Sequence, residues 1–396
     1  MRSFLRKYYA VGLTFLVLHG ASTWFALLVP RTYLCLVCIS IVIAFILSYR
    51  QIGSLRLSWG IIGIFIIGAF CGYRTLEARI NEILLFVAIG TVLFLSLDDR
   101  KEVLYKINRL LTILISCSFV LFAADRLLGG IPSLGRVTMA QYTFNNHLLY
   151  IDVLRYNGKF SAFSLEPGYY SLLAVGLICV NRFNFKKYTT ILCLVTILFS
   201  FSLGGYVLFT MGLMIHAFVK STSVWKVAKR IMGLLLGITV LYYVAVTWNR
   251  GNNLVNEKIV SRLEIDEDKG ISGNNRENAI AQIILWDNLL SDNAWWGSGT
   301  ESYLKYVTTI EGYDACSWLV FVFRYGLLFT IAYIFFFTLF CVKNMEDKKE
   351  LLPFISIYWL DFIQHGLPFA SLLILVLLYV GVNSRKVREG IGIKDQ

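Results

Sequence analysis

The sequence predicts an all-α, polytopic integral membrane protein of about 12 transmembrane helices, with one large periplasmic loop that contains short helices. Three observations carry this prediction. Of the 396 residues, 57% are hydrophobic and 16% charged, whereas a soluble domain carries roughly 25% charged residues. Apolar stretches of spanning length recur along the chain, giving a mean hydropathy of +0.65. Basic residues collect in every second connection between those stretches.

Crossing a hydrocarbon core of ~30 Å takes about 20 apolar residues. Twelve stretches qualify, some of them short, near 9–29, 32–49, 57–73, 80–97, 110–124, 166–181, 188–203, 204–219, 231–248, 317–341, 351–363 and 367–383. The first follows Arg2, Arg6 and Lys7, as the apolar part of a signal peptide would. It runs on without a small-residue cleavage site, so it is expected to be a retained helix. The seventh and eighth are separated only by Ser202-Leu203-Gly204-Gly205, a tight turn. With the N-terminus cytoplasmic, the inside segments hold 23 Lys and Arg and the outside segments 13 over roughly twice the length, with Arg324 inside a span. Short basic inside loops are what the positive-inside rule requires. The expected organisation is therefore a single multi-span domain, 1–396, with both termini cytoplasmic and two large outer loops, 125–165 and 249–316.

The net charge of +12 would suggest nucleic acid in a soluble protein. Here topology accounts for it, and no nucleic-acid partner is expected. Cys35 and Cys38 form a C-x-x-C with no second pair and no nearby His, a poor metal site. There is no Gly-rich phosphate loop with a Lys. No inverted duplication relates the two halves, which weighs against a transporter.

The polar loops hold the candidate chemistry. The larger one carries six bases against eleven acids, so an anion site in it rests on individual arginines: Arg250, Arg262 and Arg276. An arginine grips phosphate in bidentate fashion and stays charged. Arg276 follows Gly273-Asn274-Asn275 and precedes the periodic apolar stretch Ala279 to Trp286, near a helix start suited to a diphosphate. The smaller loop ends with Arg155, Gly158, Phe160, Glu166 and Pro167 before Tyr169 and Tyr170 enter a span. Glu166 is either an interface acid paired with Lys159, a helix cap, or a functional carboxylate, because an acid entering a membrane helix is costly. Asp361 and His365 are four apart and face one cavity if their helix continues; a polar turn is the plainer reading. Arg324 lies in a span, where an arginine usually faces a cavity or a carboxylate. His147 is a loop histidine with no visible partner, and Trp286, Trp295, Trp296 and Trp318 are candidates for an interfacial belt.

In layout and motif the chain resembles the bacterial O-antigen polymerase and O-antigen ligase superfamily. The resemblance rests on Arg155, Gly158, Phe160, Glu166 and Pro167, on Phe201-Ser202-Leu203-Gly204-Gly205, on Arg276 followed by Trp286 and Gly297-Ser298-Gly299, and on the re-entry from Asp314 to Gly326. It implies a GT-C-like, metal-independent glycosyltransferase of the inner membrane that uses no cofactor. Its donor would be a glycan on undecaprenyl diphosphate and its acceptor a lipid-linked repeat unit. A chain-length regulator and a flippase would be partners beside the lipid bilayer. The implied catalytic residues are Arg276, Arg155, Glu166, Asp314 and His365, and the implied substrate contacts Arg250, Arg262, Arg324, Trp286 and Tyr169. Relatives often have Arg where this chain has Leu203, and ligases are expected to carry a His late in the large loop, where Glu311 to Ser317 has none. That departure favours a polymerase over a ligase, with a lipid flippase as the rival of another class.

Overall fold

The structure, a computed structural model, describes residues 2–49, 55–139, 142–154, 158–221, 224–262, 265–266, 270–271, 279–306, 318–365 and 371–383. It is mostly helical. In chain order the helices are α1 (Arg2–Gly20), α2 (Trp24–Leu27), α3 (Arg31–Ser48), α4 (Ser58–Gly72), α5 (Leu76–Gly90), α6 (Leu97–Leu127), α7 (Pro167–Val180), α8 (Tyr188–Ser200) and α9 (Leu203–Lys220). Then follow α10 (Val224–Thr247), α11 (Leu254–Lys258), α12 (Ala279–Leu289), α13 (Thr300–Tyr306), α14 (Trp318–Tyr325), α15 (Leu327–Asn344), α16 (Lys348–His365) and α17 (Ser371–Val382). The expected stretches are largely helical among the described residues, but the tenth, 317–341, is not one helix: it is divided into α14 and α15 at Gly326. Leu97–Leu127, Leu203–Lys220 and Leu327–Asn344 are long and apolar enough to cross a membrane, and five shorter apolar helices accompany them. This apolar helical character is that of a membrane protein.

Local sequence sets the helix ends. The Ser96 hydroxyl accepts from the Asp99 amide at the start of α6, with Asp98 and Asp99 in its first turn and Arg126 in its last. Those charges oppose the helix dipole at both ends. Pro167 opens α7, where its missing N–H is not needed. Ser202 caps α9 by accepting from Gly205 N at 3.2 Å, after Phe201 turns the chain with a left-handed φ of 45°.

One expectation is corrected. The chain is not wholly α-helical: the smaller loop holds an antiparallel sheet of β1 (Arg136–Met139), β2 (Tyr142–Asn146) and β3 (Ile151–Val153), in that order. A second ladder pairs β4 (Ile265–Asp266) with β5 (Gly270–Ile271). The first sheet follows from period-two burial in β2, where Tyr142, Phe144 and Asn146 point inward. A search for long apolar runs passes over such short alternating strands. Tyr142, Phe144, Ile151, Val153 and Leu165 form its small core against Trp24.

Between helices, association in lipid depends on close packing rather than hydrophobic expulsion. A Cβ on Gly176 would lie 2.4 Å from Leu372, and one on Gly212 2.4 Å from Ile357, so α7 meets α17 and α9 meets α16 at glycines. The connections sort into two groups by contact. In one, Trp24 N donates to Phe163 O at 3.2 Å, Ser164 Oγ to Ala21 O at 2.8 Å and Phe160 N to Phe199 O at 2.8 Å. In the other, Arg56 and Asn344 exchange two hydrogen bonds of 2.9 Å, and Arg182 meets Glu350 at 2.8 Å and Asn383 at 2.7 Å.

Asn344 ties α15 to Arg56 through both atoms of its amide, whose Nδ2 also donates to Phe340 O of its own helix. Asn344→Leu should cost about 1–3 kcal/mol and lower the thermal unfolding midpoint in detergent; an unchanged midpoint would show that this tie does not hold α15 to the α3–α4 connection.

Candidate functional site

At the junction of α14 and α15 two stretches of backbone pack directly on each other. Gly326 separates the two helices with φ of 87°. A helix break in apolar surroundings leaves carbonyls that need donors. The segment Trp295 to Gly299 supplies them: Ser298 N donates to Phe323 O at 2.6 Å and Gly299 N to Arg324 O at 3.2 Å. In return Leu328 N donates to Trp295 O at 3.3 Å. The approach is backbone on backbone, since a Cβ on Gly297 would lie 2.5 Å from Gly326 N and one on Gly326 2.5 Å from Trp295 O. The Gly297-Ser298-Gly299 motif therefore closes a broken helix.

Arg324 sits beside this break and is 9% exposed. Its Nε donates to Thr300 Oγ1 at 2.9 Å, and its guanidinium lies 5.9 Å from the Tyr303 ring and 5.6 Å from the Tyr325 ring. Rings at that range stabilise a cation through their π face. The Tyr325, Tyr73 and Tyr303 side chains and the Glu82 carboxylate of α5 all lie within electrostatic reach of the guanidinium. The expectation that a spanning arginine finds a carboxylate identifies the right kind of partner.

A second tie fixes the loop over α5. The Glu301 carboxylate accepts from Arg74 N at 3.0 Å and Thr75 N at 3.2 Å, and the Arg74 guanidinium donates to Gly297 O. Burial raises the Glu301 pKa, but these backbone donors outweigh it and hold the carboxyl below its usual range. Glu301 thereby also occupies the N-terminus of α5, where a negative charge is favourable.

The other sequence motifs gather at the α7, α9 and α16 ends. Glu166 stands at the N-cap of α7 but makes no cap with its side chain; it accepts from the Tyr142 hydroxyl of β2. A Cβ on Gly205 would meet Ser171 Cβ of α7 at 2.4 Å, and one on Gly204 would meet Gln364 Nε2 of α16 at 2.0 Å. The Glu166-Pro167 helix start, the Ser202 to Gly205 turn and the Asp361 to His365 helix end therefore share one end of the bundle, and Asp361 is 1% exposed there. His365 ends α16, and Arg262 ends the 3-10 turn Val260–Arg262. Arg155, Arg276 and Asp314 lie outside the described residues.

Of the expected substrate contacts, Arg250 is exposed with φ of 54°, Tyr169 is half-buried at the start of α7, and Trp286 stands edge-on to Trp318 with ring centres 6.4 Å apart. Arg324 belongs to the helix-break cluster. His147 gains partners that its sequence context hides: it stacks on Tyr150 at 5.4 Å, with Nδ1 3.1 Å from Pro132 O. Sequence reasoning misses Tyr73, Arg74, Glu82, Thr300 and Glu301. Glu82 alone had a signal, as an acid inside a predicted span that already called for a cationic partner elsewhere. No known protein family, no curated protein and no solved structure matches the chain.

Two outcomes test this geometry. Arg324→Met and Glu82→Gln should each lower the unfolding midpoint, and a double-mutant cycle should return a coupling of about 0.5–3 kcal/mol; strict additivity would show that the two charges do not communicate. Because the Glu301 carboxyl is held low, its grip is complete above the ordinary carboxylate pKa of about 4.3 and is lost as pH falls through the lowered folded-state value. Exchange protection of the Arg74 and Thr75 amides, corrected for intrinsic rates, should drop in that acid range in the wild type. In Glu301→Gln it should be low already at neutral pH and show no acid step.

Proposed function

We propose that the chain is a membrane glycosyltransferase that polymerises a surface polysaccharide such as O-antigen, moving a growing glycan from undecaprenyl diphosphate onto a lipid-linked repeat unit. The observation that carries this reading is the meeting, at one end of the bundle, of the Glu166-Pro167 helix start, the Ser202 to Gly205 turn and the Asp361 to His365 helix end. These pieces lie far apart in sequence and are ones through which the chain resembles that superfamily or which sequence reasoning offered as a catalytic pair. The basic alternate loops support an inner-membrane location with this end facing the periplasm and both termini in the cytoplasm.

In the proposed reaction a sugar hydroxyl of the repeat unit attacks the anomeric carbon of the donor glycan. The new glycosidic C–O bond forms as the bond to the diphosphate breaks, and undecaprenyl diphosphate leaves. A carboxylate or imidazole takes the hydroxyl proton: Glu166, Asp314 and His365 are the candidates, and the Tyr142 hydroxyl orients the first. Charge gathers on the leaving diphosphate, and Arg276 and Arg155 are assigned to stabilise it, a task that requires cations but no metal. Arg250, Arg262, Arg324, Trp286 and Tyr169 are assigned to substrate contact. A chain-length regulator and a flippase would act with the protein in the bilayer.

The ligase reading lacks its histidine between Glu311 and Ser317. A flippase needs broken helices that open onto a substrate path. The break at Gly326 is instead closed by backbone hydrogen bonds from Ser298 and Gly299, which favours the enzyme.

A strain lacking the gene should show a surface glycan reduced to single repeat units on a gel. Complete loss of the attached glycan would instead indicate a ligase. Arg276→Ala, Arg155→Ala and Glu166→Gln, inserted at normal levels, should each lower polymer formation by about 10²–10³-fold; full-length polymer from all three would sink the site assignment.

A further inference from the structure

Beside the closed helix break lies an open cleft of about 560 Å³ between α12, the Ser291 to Ser302 segment and the loop before α5. Its volume falls within the roughly 300–1,000 Å³ of small-molecule sites. Hydroxyls and amides dominate its lining: Asn288, Ser291, Asn293, Ser298 and Ser302. Asp287 supplies one carboxylate and Arg74 one guanidinium, while Ile284 and Phe323 provide apolar surface. We propose that this cleft is a glycan subsite that holds a neutral sugar ring of the substrate polymer, an inference that rests on the polymerase reading and assigns residues to it.

Charge decides between the two chemistries a lipid-linked glycan offers. A diphosphate needs an excess of cations, and here Arg74 is balanced by Asp287, with Glu301 held close to Arg74 as well. A neutral sugar needs paired donors and acceptors set beside an apolar patch, which is what the lining presents. Arg74 is also pre-positioned: Glu301 fixes its backbone, and its guanidinium is anchored to Gly297 O. Asn288 Nδ2 donates to Ser298 Oγ at 2.9 Å, whereas its Oδ1 is buried with no hydrogen-bond partner among the described residues. Leaving such an oxygen unpaired is unfavourable, and a modest turn of the amide into the cleft offers it to a ligand hydroxyl.

The test uses the full chain in lipid nanodiscs and two probes: oligosaccharide released by mild acid from the surface glycan of the same cells, and inorganic diphosphate. Saturation-transfer NMR should detect the oligosaccharide on the wild type, and inorganic diphosphate should not displace it. Asp287→Asn and Ser302→Ala, both at the cleft wall, should each weaken the oligosaccharide about tenfold, while Lys186→Ala, at an exposed position in the connection between α7 and α8, should leave its binding unchanged. Equal binding by the wild type and both cleft variants, displacement by diphosphate, or no oligosaccharide signal on the wild type would each overturn the subsite. The gel phenotype of the deletion strain judges the polymerase reading separately. Oligosaccharide binding lost in the cleft variants, together with an unaltered ladder in the deletion strain, would uphold the subsite and reject the polymerase.

Discussion

An apolar surrounding leaves no water to satisfy a broken helix, and this constraint organises the loop end of the protein. The chain interrupts α14 and α15 at Gly326 and must find donors for the carbonyls it frees. It finds them in Ser298 and Gly299, in the main loop rather than in the neighbouring helix. The closeness of that contact excludes side chains at Gly297 and Gly326. Arg324, Thr300 and the Tyr325–Tyr73–Glu82 chain then form around the break, and Glu301 ties the same segment to α5. A loop that is polar in composition thus becomes a fixed wall of the bundle end.

That wall gives the candidate chemistry its setting. The cleft next to it pairs one guanidinium, Arg74, with one carboxylate, Asp287, and is otherwise lined mainly with hydroxyls and amides. At the neighbouring end of α7, Tyr142 of the small sheet holds the Glu166 carboxylate. The sheet is in turn anchored to α6 by Arg126, which meets Asp152 at 2.8 Å. Both polar loops therefore contribute rigid pieces, one through a strand and one through a closed helix break.

The apolar helices were largely legible in the sequence because they are runs bounded by charge, Pro or Ser, whereas the short polar helices α11 and α13 are not such runs. The tight turn before α9 could be read from Ser202 and two glycines, and Ser202 caps the helix as that composition suggests. The three-stranded sheet was not legible, because its strands are three to five residues long and alternate rather than run. Arg324 was recognisable as an intramembrane charge, yet its partners Thr300, Tyr73 and Glu82 come from two distant segments, and nothing local in the sequence joins them. Arg74 and Glu301 were invisible for a plainer reason: each alone looks like a solvated loop charge. Only their meeting across the fold, through backbone amides, makes them part of a site.

The proposed joining of lipid-linked repeat units is tested most directly by reconstituting the purified protein in lipid vesicles with lipid-linked repeat units as the sole substrate. Glycans of two and more repeat units should form, with one undecaprenyl diphosphate released for each linkage. Repeat units that cross the bilayer without any new linkage, or that transfer only to a different lipid acceptor, would contradict it.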